Sequence, residues 1–344
     1  MAGYRTEFLK GWSSIATRLP LKRMIALTGQ KVVLPVYHLV AQDNVPHVRH
    51  LYPIKSPKAF IDDLDFLLKY YQPVDLNQLI RHYDGSQLLK KPSFHLTFDD
   101  GLQEFYSVVA PILKTKGVPA TNFLNSAFID NKGLFYRYKI SLITELLRTE
   151  KNPSILSQVE STLKKKELKF DNLKDGLHKL KYRDEAAIRQ ITDIINIDFD
   201  EFLRTRRPYL SSDQVRELIS QGFTFGAHSI DHPQYDHLTL EEQIVQTQKS
   251  VSIICKSFDL KYRCFAFPFT DYGVSKAFFD HFFLGTEKLD LSFGSAGLKV
   301  DAYPRHLQRI PMEMGNIAGR QILHGEYLYY LLKSPLGKNR IRRA

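Results

Sequence analysis

The stretch FHLTFDDG, residues 94–101, poses the question on which the fold turns. An apolar, strand-like run ends there in two adjacent carboxylates, Asp99 and Asp100, with Gly101 immediately after. Like charges side by side at a strand end repel one another, and taking either out of water is costly unless a positive group is near. Asp-Gly alone is an ordinary way to leave a strand through a turn. A carboxylate pair at a buried-looking strand end asks for more, and the rest of the chain has to supply a cation.

Working outward, strand-like apolar runs appear at 32–39, 93–98, 120–124, 223–227, 264–267 and 291–293. Helical periodicity predicts helices over 57–71, 102–116, 212–221, 239–258 and 274–283. Strands alternating with helices of this length predict a parallel α/β sheet or barrel. Residues 136–205 break that rhythm: they are helical in period, rich in Lys and Glu, and read as an insertion. With 344 residues, 43% of them hydrophobic, the chain can bury a sizeable core as one large α/β domain with an insertion or as two domains. Cys255 and Cys264 cannot build a disulfide framework and read as buried thiols, which suits a reducing compartment. No unbroken apolar signal core opens the chain, and no stretch reaches the roughly 18 apolar residues of a membrane span, so a cytoplasmic location is expected.

The cation has a candidate site in GAHSIDHP, residues 226–233, which follows the strand-like FTF. His228 and His232 are four apart, so a helical turn or a tight loop can bring both imidazoles to one point. Two imidazoles and one carboxylate make a three-ligand site with an open position, as in catalytic Zn²⁺ centres. An isolated H-x-x-x-H says little, but paired with D-D-G at the end of another strand it says much more. In an α/β barrel the strand C-termini converge on one face, where catalytic residues gather.

TFDDG at 97–101 and HSIDH at 228–232 resemble the first two motifs of the polysaccharide deacetylases with NodB homology, carbohydrate esterase family four. PVYHLV at 35–40, YLSSDQVRELISQGFTFGAHSIDHPQY at 209–235 and FAFPFTDYG at 265–273, in the third motif's place, extend the resemblance. It runs from about residue 32 to 312, with 136–205 outside it. The fold it implies is α/β, a distorted (β/α) barrel of the NodB-homology type with a helical insertion. The expected segments are a basic amphipathic stretch (1–31), barrel parts at 32–135 and 206–312, the insertion (136–205), and a C-terminal helix with a basic tail (313–344).

The resemblance implies Asp99 as general base and Asp100, His228 and His232 as ligands of a divalent metal ion, most simply Zn²⁺. One aspartate then holds the metal while its neighbour takes a proton from water activated by the ion. Ser229 would support the histidine loop. The third motif departs from the common pattern, because Ala266 stands where many relatives carry the arginine that orients the base. FAFPF is similar to the FAYPY form of the poly-N-acetylglucosamine deacetylase branch. Arg309, in QRIPM, either supplies the missing charge from a later strand or is a structural arginine. The Phe269 backbone N–H would share an oxyanion with the metal. For the general acid, His38 matches that branch's early Y-H strand; His306 and His324 are the late alternatives. The implied activity is removal of an N-acetyl group from an amino sugar of a poly- or oligosaccharide, or of a lipid-linked precursor. An N-deformylase of a lipid-linked amino sugar would use the same ligands. A degenerate saccharide-binding member is the non-enzyme alternative, suggested by the missing arginine and opposed by the complete D-D/H/H set.

Charge adds a second expectation. Residues 1–31 carry six Lys/Arg against one Glu, and 333–344 carry five with no acid, so the two ends hold nearly all of the +11 net charge. No basic–aromatic stripe, zinc-finger spacing or RNA-binding signature accompanies it, which argues against a nucleic-acid partner. Tyr4, Phe8, Trp12, Ile15 and Leu19 recur at helical spacing beside Arg5, Lys10 and Arg18. Such a stripe either packs on the protein's own barrel or meets an anionic membrane, here at its inner face.

Overall fold

The computed structural model describes residues 2–42 and 45–343; positions 1, 43, 44 and 344, including the outer ends of the first and last expected segments, lie outside it. Its centre is an eight-stranded, all-parallel sheet. In chain order the strands are Pro35–Tyr37, Leu96–Phe98, Ala120–Leu124, Thr224–Ala227, Cys264–Ala266, Leu291–Gly294, His306–Gln308 and Ile310–Pro311. The first six lie side by side in sequence order. Closure comes from one stretch of chain: His306–Gln308 pairs with Leu291–Gly294, and, after the single residue Arg309, Ile310–Pro311 pairs with Pro35–Tyr37. This is the expected distorted (β/α) barrel, with a short parallel sheet of Val32–Val33, Ser93–Phe94 and Gln72–Pro73 below it.

The strands are buried on both faces, which is why they read as continuous apolar runs rather than alternating ones. Phe123, Ala266, Leu291, Phe293 and Leu307 fill the barrel. Gly226 is required there, since a Cβ would lie 2.5 Å from the Phe123 ring. The outer helices start at side-chain caps: Ser56 with Pro57 behind it, and full capping boxes at Ser211/Gln214 and Thr239/Glu242.

The runs predicted at 32–39 and 93–98 are real but each breaks, at Leu34 and His95. The helix predicted over 102–116 is instead a π-helical turn, Phe105–Val109, followed by Ala110–Lys116. Pro111 explains the junction, because it has no N–H to continue an α-helical ladder.

Residues 136–206 form five α-helices, from Tyr136–Leu147 to Phe199–Arg206, and one short 3-10 turn, Tyr182–Asp184. Their apolar faces (Ile140, Ile143, Val159, Leu163, Ile188, Ile191) make a second core that reaches the barrel through Leu102, Phe128, Phe135 and Tyr209. The Ala2–Ala16 helix lies along Gly319–Lys333. It packs there with Leu9, Ser13 and Ala16, and a Cβ on Gly325 would come within 2.6 Å of Leu9. Two of the basic residues at the ends are not solvated: Arg5 pairs with buried Glu326 at 2.6 Å, and Arg343 is buried between Asp271 and Asp301.

Candidate active site

The loops at the strand C-termini bring the chemistry to one face. Asp99 and Asp100 follow Leu96–Phe98. Asp100 and Gly101 are both left-handed, at φ 71° and 65°. Asp tolerates that region through its short polar side chain, whereas position 101 needs glycine, since a Cβ would meet Leu124 at 2.7 Å. The sharp turn points the two adjacent carboxylates to different partners.

Asp99 is taken by Arg309, whose Nη1 and Nη2 donate to Oδ1 and Oδ2 at 2.7 and 2.8 Å. Both side chains are almost fully buried. Arg309 also donates through Nε to Gly294 O at 3.1 Å and lies over the Phe123 ring. Burial pushes the Asp99 carboxyl upward, but the Arg309 charge, with His228 and His38, holds it below the usual range.

Asp100 accepts a hydrogen bond at Oδ2 from Tyr138, at 2.8 Å, and turns Oδ1 toward two imidazoles. His228 Nε2 lies 3.6 Å and His232 Nε2 3.2 Å from that oxygen. His228 Nδ1 donates to Ala266 O at 2.8 Å, which leaves Nε2 as the bare acceptor. Burial lowers the His228 pKa to about 4, so the ring is neutral. The H-x-x-x-H spacing is not a helical turn here. It is a loop in which Ser229 and His232 are left-handed, at φ 68° and 64°. Ser229 Oγ accepts from the His232 N–H at 3.0 Å, and Asn125 donates to the His228 carbonyl, which fixes the loop from the neighbouring strand.

Asp100 Oδ1 and His228 Nε2 are buried and have no hydrogen-bond donor among the described residues. Buried acceptors left unpaired are costly unless a cation takes them. One ligand atom each from Asp100, His228 and His232 lies within 4.8 Å of the others. A carboxylate and two imidazoles fit Zn²⁺ or another first-row divalent ion with a position left open.

His38 follows Pro35–Tyr37 and is only part buried. Its Nδ1 donates to Glu313 Oε2 at 2.7 Å, and Glu313 also accepts from the His38 and Leu39 backbone N–H groups at 3.0 and 2.7 Å. Burial lowers the His38 pKa, but Glu313, with Asp100 and Asp99, raises it to about 9. Phe269 is left-handed at φ 56°, its ring 4.6 Å from that of His232. Its carbonyl accepts from Ser295 Oγ, while its N–H has no acceptor among the described residues. The loop is tied down by Asp271, which is held by His306, Gln308 and Arg343.

The fold therefore gathers Asp99, Asp100, His228, His232, Arg309 and Phe269, with His38 close enough for its charge to act on both aspartates. It sets the two late histidines elsewhere. His306 is buried between Ser292 and Asp271, and His324 Nδ1 donates to Arg320 O one turn back in its own helix. Tyr138, which comes from the insertion, has no motif to mark it. Glu313 had one available signal, an acid just past a strand end, as Asp99 and Asp100 are.

A strand-end D-D-G beside an imidazole pair on a NodB-type barrel defines a class, and the sequence comparison agrees. The chain belongs to the polysaccharide deacetylase family, whose sequence model matches residues 87–277, more than half of it. It is by that membership a deacetylase. Among solved structures, the Streptococcus pyogenes deacetylase PplD in complex with acetate is similar at 15% identity and a TM-score of 0.53, over 86% of this chain and 97% of that one. IcaB from Ammonifex degensii is similar at 15% identity and a TM-score of 0.51, over the same shares of the two chains. At that identity the likeness is one of fold. A comparison with curated proteins gave no match.

Proposed function

We propose that this chain is a metal-dependent hydrolase that removes an N-acetyl group from an amino sugar of a poly- or oligosaccharide, or of a lipid-linked precursor. The observation that carries the reading is the unequal treatment of two adjacent carboxylates. Asp99 has both oxygens in an arginine fork, whereas Asp100 leaves one bare toward two imidazoles. Asp100, His228 and His232 would hold the ion, and their donor set suits Zn²⁺. Bound there, it supplies Lewis acidity, lowering the pKa of a water toward about 7 and polarising the acyl carbonyl.

Asp99 accepts the proton of the attacking water. The Arg309 fork keeps its carboxylate ionised and fixed in orientation, the role left open by Ala266. The Phe269 N–H donates to the oxyanion as the carbonyl becomes tetrahedral. His38, kept protonated by Glu313, delivers the proton that the leaving amine needs. Acetate and a free amino sugar result.

The test is release of acetate, and separately of formate, from a panel of N-acetylated and N-formylated amino sugars and oligosaccharides. Acetate release blocked by a chelator supports the reading. Formate release alone would move the assignment to an N-deformylase, and release of neither would leave a saccharide-binding protein.

A further inference from the structure

Apart from Phe8, the Tyr4–Leu19 stripe does not pack inward. The Ala2–Ala16 helix uses another face, Leu9, Ser13 and Ala16, to meet the Gly319–Lys333 helix, and the missing side chain of Gly325 lets Leu9 and Ser13 approach closely. The stripe is left outside: Tyr4 is 84% exposed, Trp12 52%, Ile15 49% and Leu19 44%. Phe8 is half-buried, with its ring beside Trp12 and Tyr329. The following helix, Leu21–Thr28, buries Leu21, Met24 and Ile25 and exposes Leu27, so the apolar surface continues across the turn. A contiguous apolar surface with aromatic residues along it is unusual on a protein that has no use for it.

Its charge says what it fits. Arg18, Lys22 and Arg23 are exposed around the turn and have no acidic partner among the described residues. The one acid of the segment, Glu7, is paired with Lys10 at 2.9 Å. Arg5 is spent on Glu326 and contributes nothing outward. Aromatic and aliphatic side chains rimmed by unpaired cations suit the boundary between lipid headgroups and acyl chains, where rings sit at headgroup level and cations meet phosphate. No helix among the described residues is long and apolar enough to cross a membrane, so this contact lies on the surface.

We propose that the exposed face of these two helices, Tyr4, Trp12, Ile15, Leu19 and Leu27 with Arg18, Lys22 and Arg23, docks on an anionic lipid bilayer. The stripe ends at the cleft end of the barrel. Ser14 Oγ accepts from Gln321 Nε2 at 2.7 Å, near the start of the helix that begins six residues past Glu313. Docking would hold the rim of the catalytic face beside headgroups, where a lipid-linked saccharide presents its sugar. The docking itself does not depend on the catalytic reading, and deacetylation of a soluble saccharide would not need it.

Trp12 is the only tryptophan, so its emission reports this face alone. The full chain is mixed with vesicles of phosphatidylcholine, with and without phosphatidylglycerol, at low and high salt, and followed by Trp emission and co-sedimentation. The expected result is a blue shift and pelleting with anionic vesicles at low salt, reversed by high salt and absent with neutral vesicles. The triple variant Arg18→Gln, Lys22→Gln, Arg23→Gln should bind about a hundredfold more weakly, at roughly fivefold per basic residue. Ile15→Ser with Leu19→Ser, which keeps Trp12, should lose the blue shift. Anionic vesicles that neither shift nor pellet the wild type would overturn the proposal, as would variants that bind like it. A blue shift that grows with protein concentration without lipid, together with a dimer in sedimentation velocity, would also overturn it by assigning the face to a second copy. None of these outcomes touches acetate release from a soluble substrate.

Discussion

Replacing Glu313 with Gln removes one negative charge from beside His38 while keeping an amide oxygen of similar size. In the wild type that carboxylate accepts from His38 Nδ1 at 2.7 Å and from two backbone N–H groups, and His38 is held near 9. The ordinary imidazole value is about 6.5, and one opposite charge at contact distance moves a pKa by about 1–3 units. The sign follows directly. A general acid must be protonated, so activity is lost as pH rises through the His38 pKa, and lowering that pKa moves the loss to lower pH. The alkaline limb of kcat/KM in Glu313→Gln should therefore fall about 1–3 units below the wild-type limb. Near pH 8 the variant should be roughly tenfold slower, and near pH 6 the two should converge. A bound cation shifts both proteins alike, so the difference between the limbs is the quantity to read. NMR titration of the His38 ring in chelated protein gives the same comparison without turnover. Superimposable limbs would show that Glu313 does not set the His38 pKa, and an alkaline limb that survives in His38→Ala would show that His38 is not the acid.

The two aspartates should separate cleanly. Asp99→Asn should keep its metal and lose about 10²–10⁴-fold in kcat, whereas Asp100→Asn should lose metal on dialysis, measured by elemental analysis. Tyr138→Phe removes the bond that orients Asp100 and should weaken metal affinity about 10–100-fold in a chelator competition, with circular dichroism unchanged. Arg309→Met leaves Asp99 buried without its partner and should cost about 3–5 kcal/mol in denaturant unfolding. Arg309→Lys cannot form the fork and should recover part of that stability but little kcat.

How much of this was legible depended on which features have a period. The six apolar runs at 32–39, 93–98, 120–124, 223–227, 264–267 and 291–293 correspond to the strands of the barrel, because burial on both faces writes a continuous signal. The stretch 306–311 that closes the barrel is missing from those apolar runs, although Arg309 in QRIPM reads as lying on a later strand. Its pieces are three and two residues long and interrupted by a charged side chain that turns inward. Asp99, Asp100, His228 and His232 were readable from spacing and resemblance, and the fold does bring them within reach of one another. Tyr138 was not, since a lone tyrosine carries no pattern until the chain is folded, and Glu313 offered only its place just past the short strand Ile310–Pro311. For Tyr4–Leu19 the period was plain but the side it faces was not. Packing through Leu9 with the small residues Ser13, Ala16 and Gly325 has little hydropathy signal, and it leaves most of the stronger stripe outside. The basic ends also overstate their free charge, because Arg5 and Arg343 are buried on carboxylates.

Deacetylation is proposed to depend on an ion held by Asp100, His228 and His232. The most direct measurement is a titration of chelated protein with Zn²⁺ in which bound metal and acetate release from an N-acetylated oligosaccharide are followed together. No release is expected at the start, then binding and activity rising in step to about one ion per chain, with neither in His228→Ala or His232→Ala. Acetate released at the full rate by the chelated wild type, or tight Zn²⁺ binding retained in both histidine variants, would contradict it.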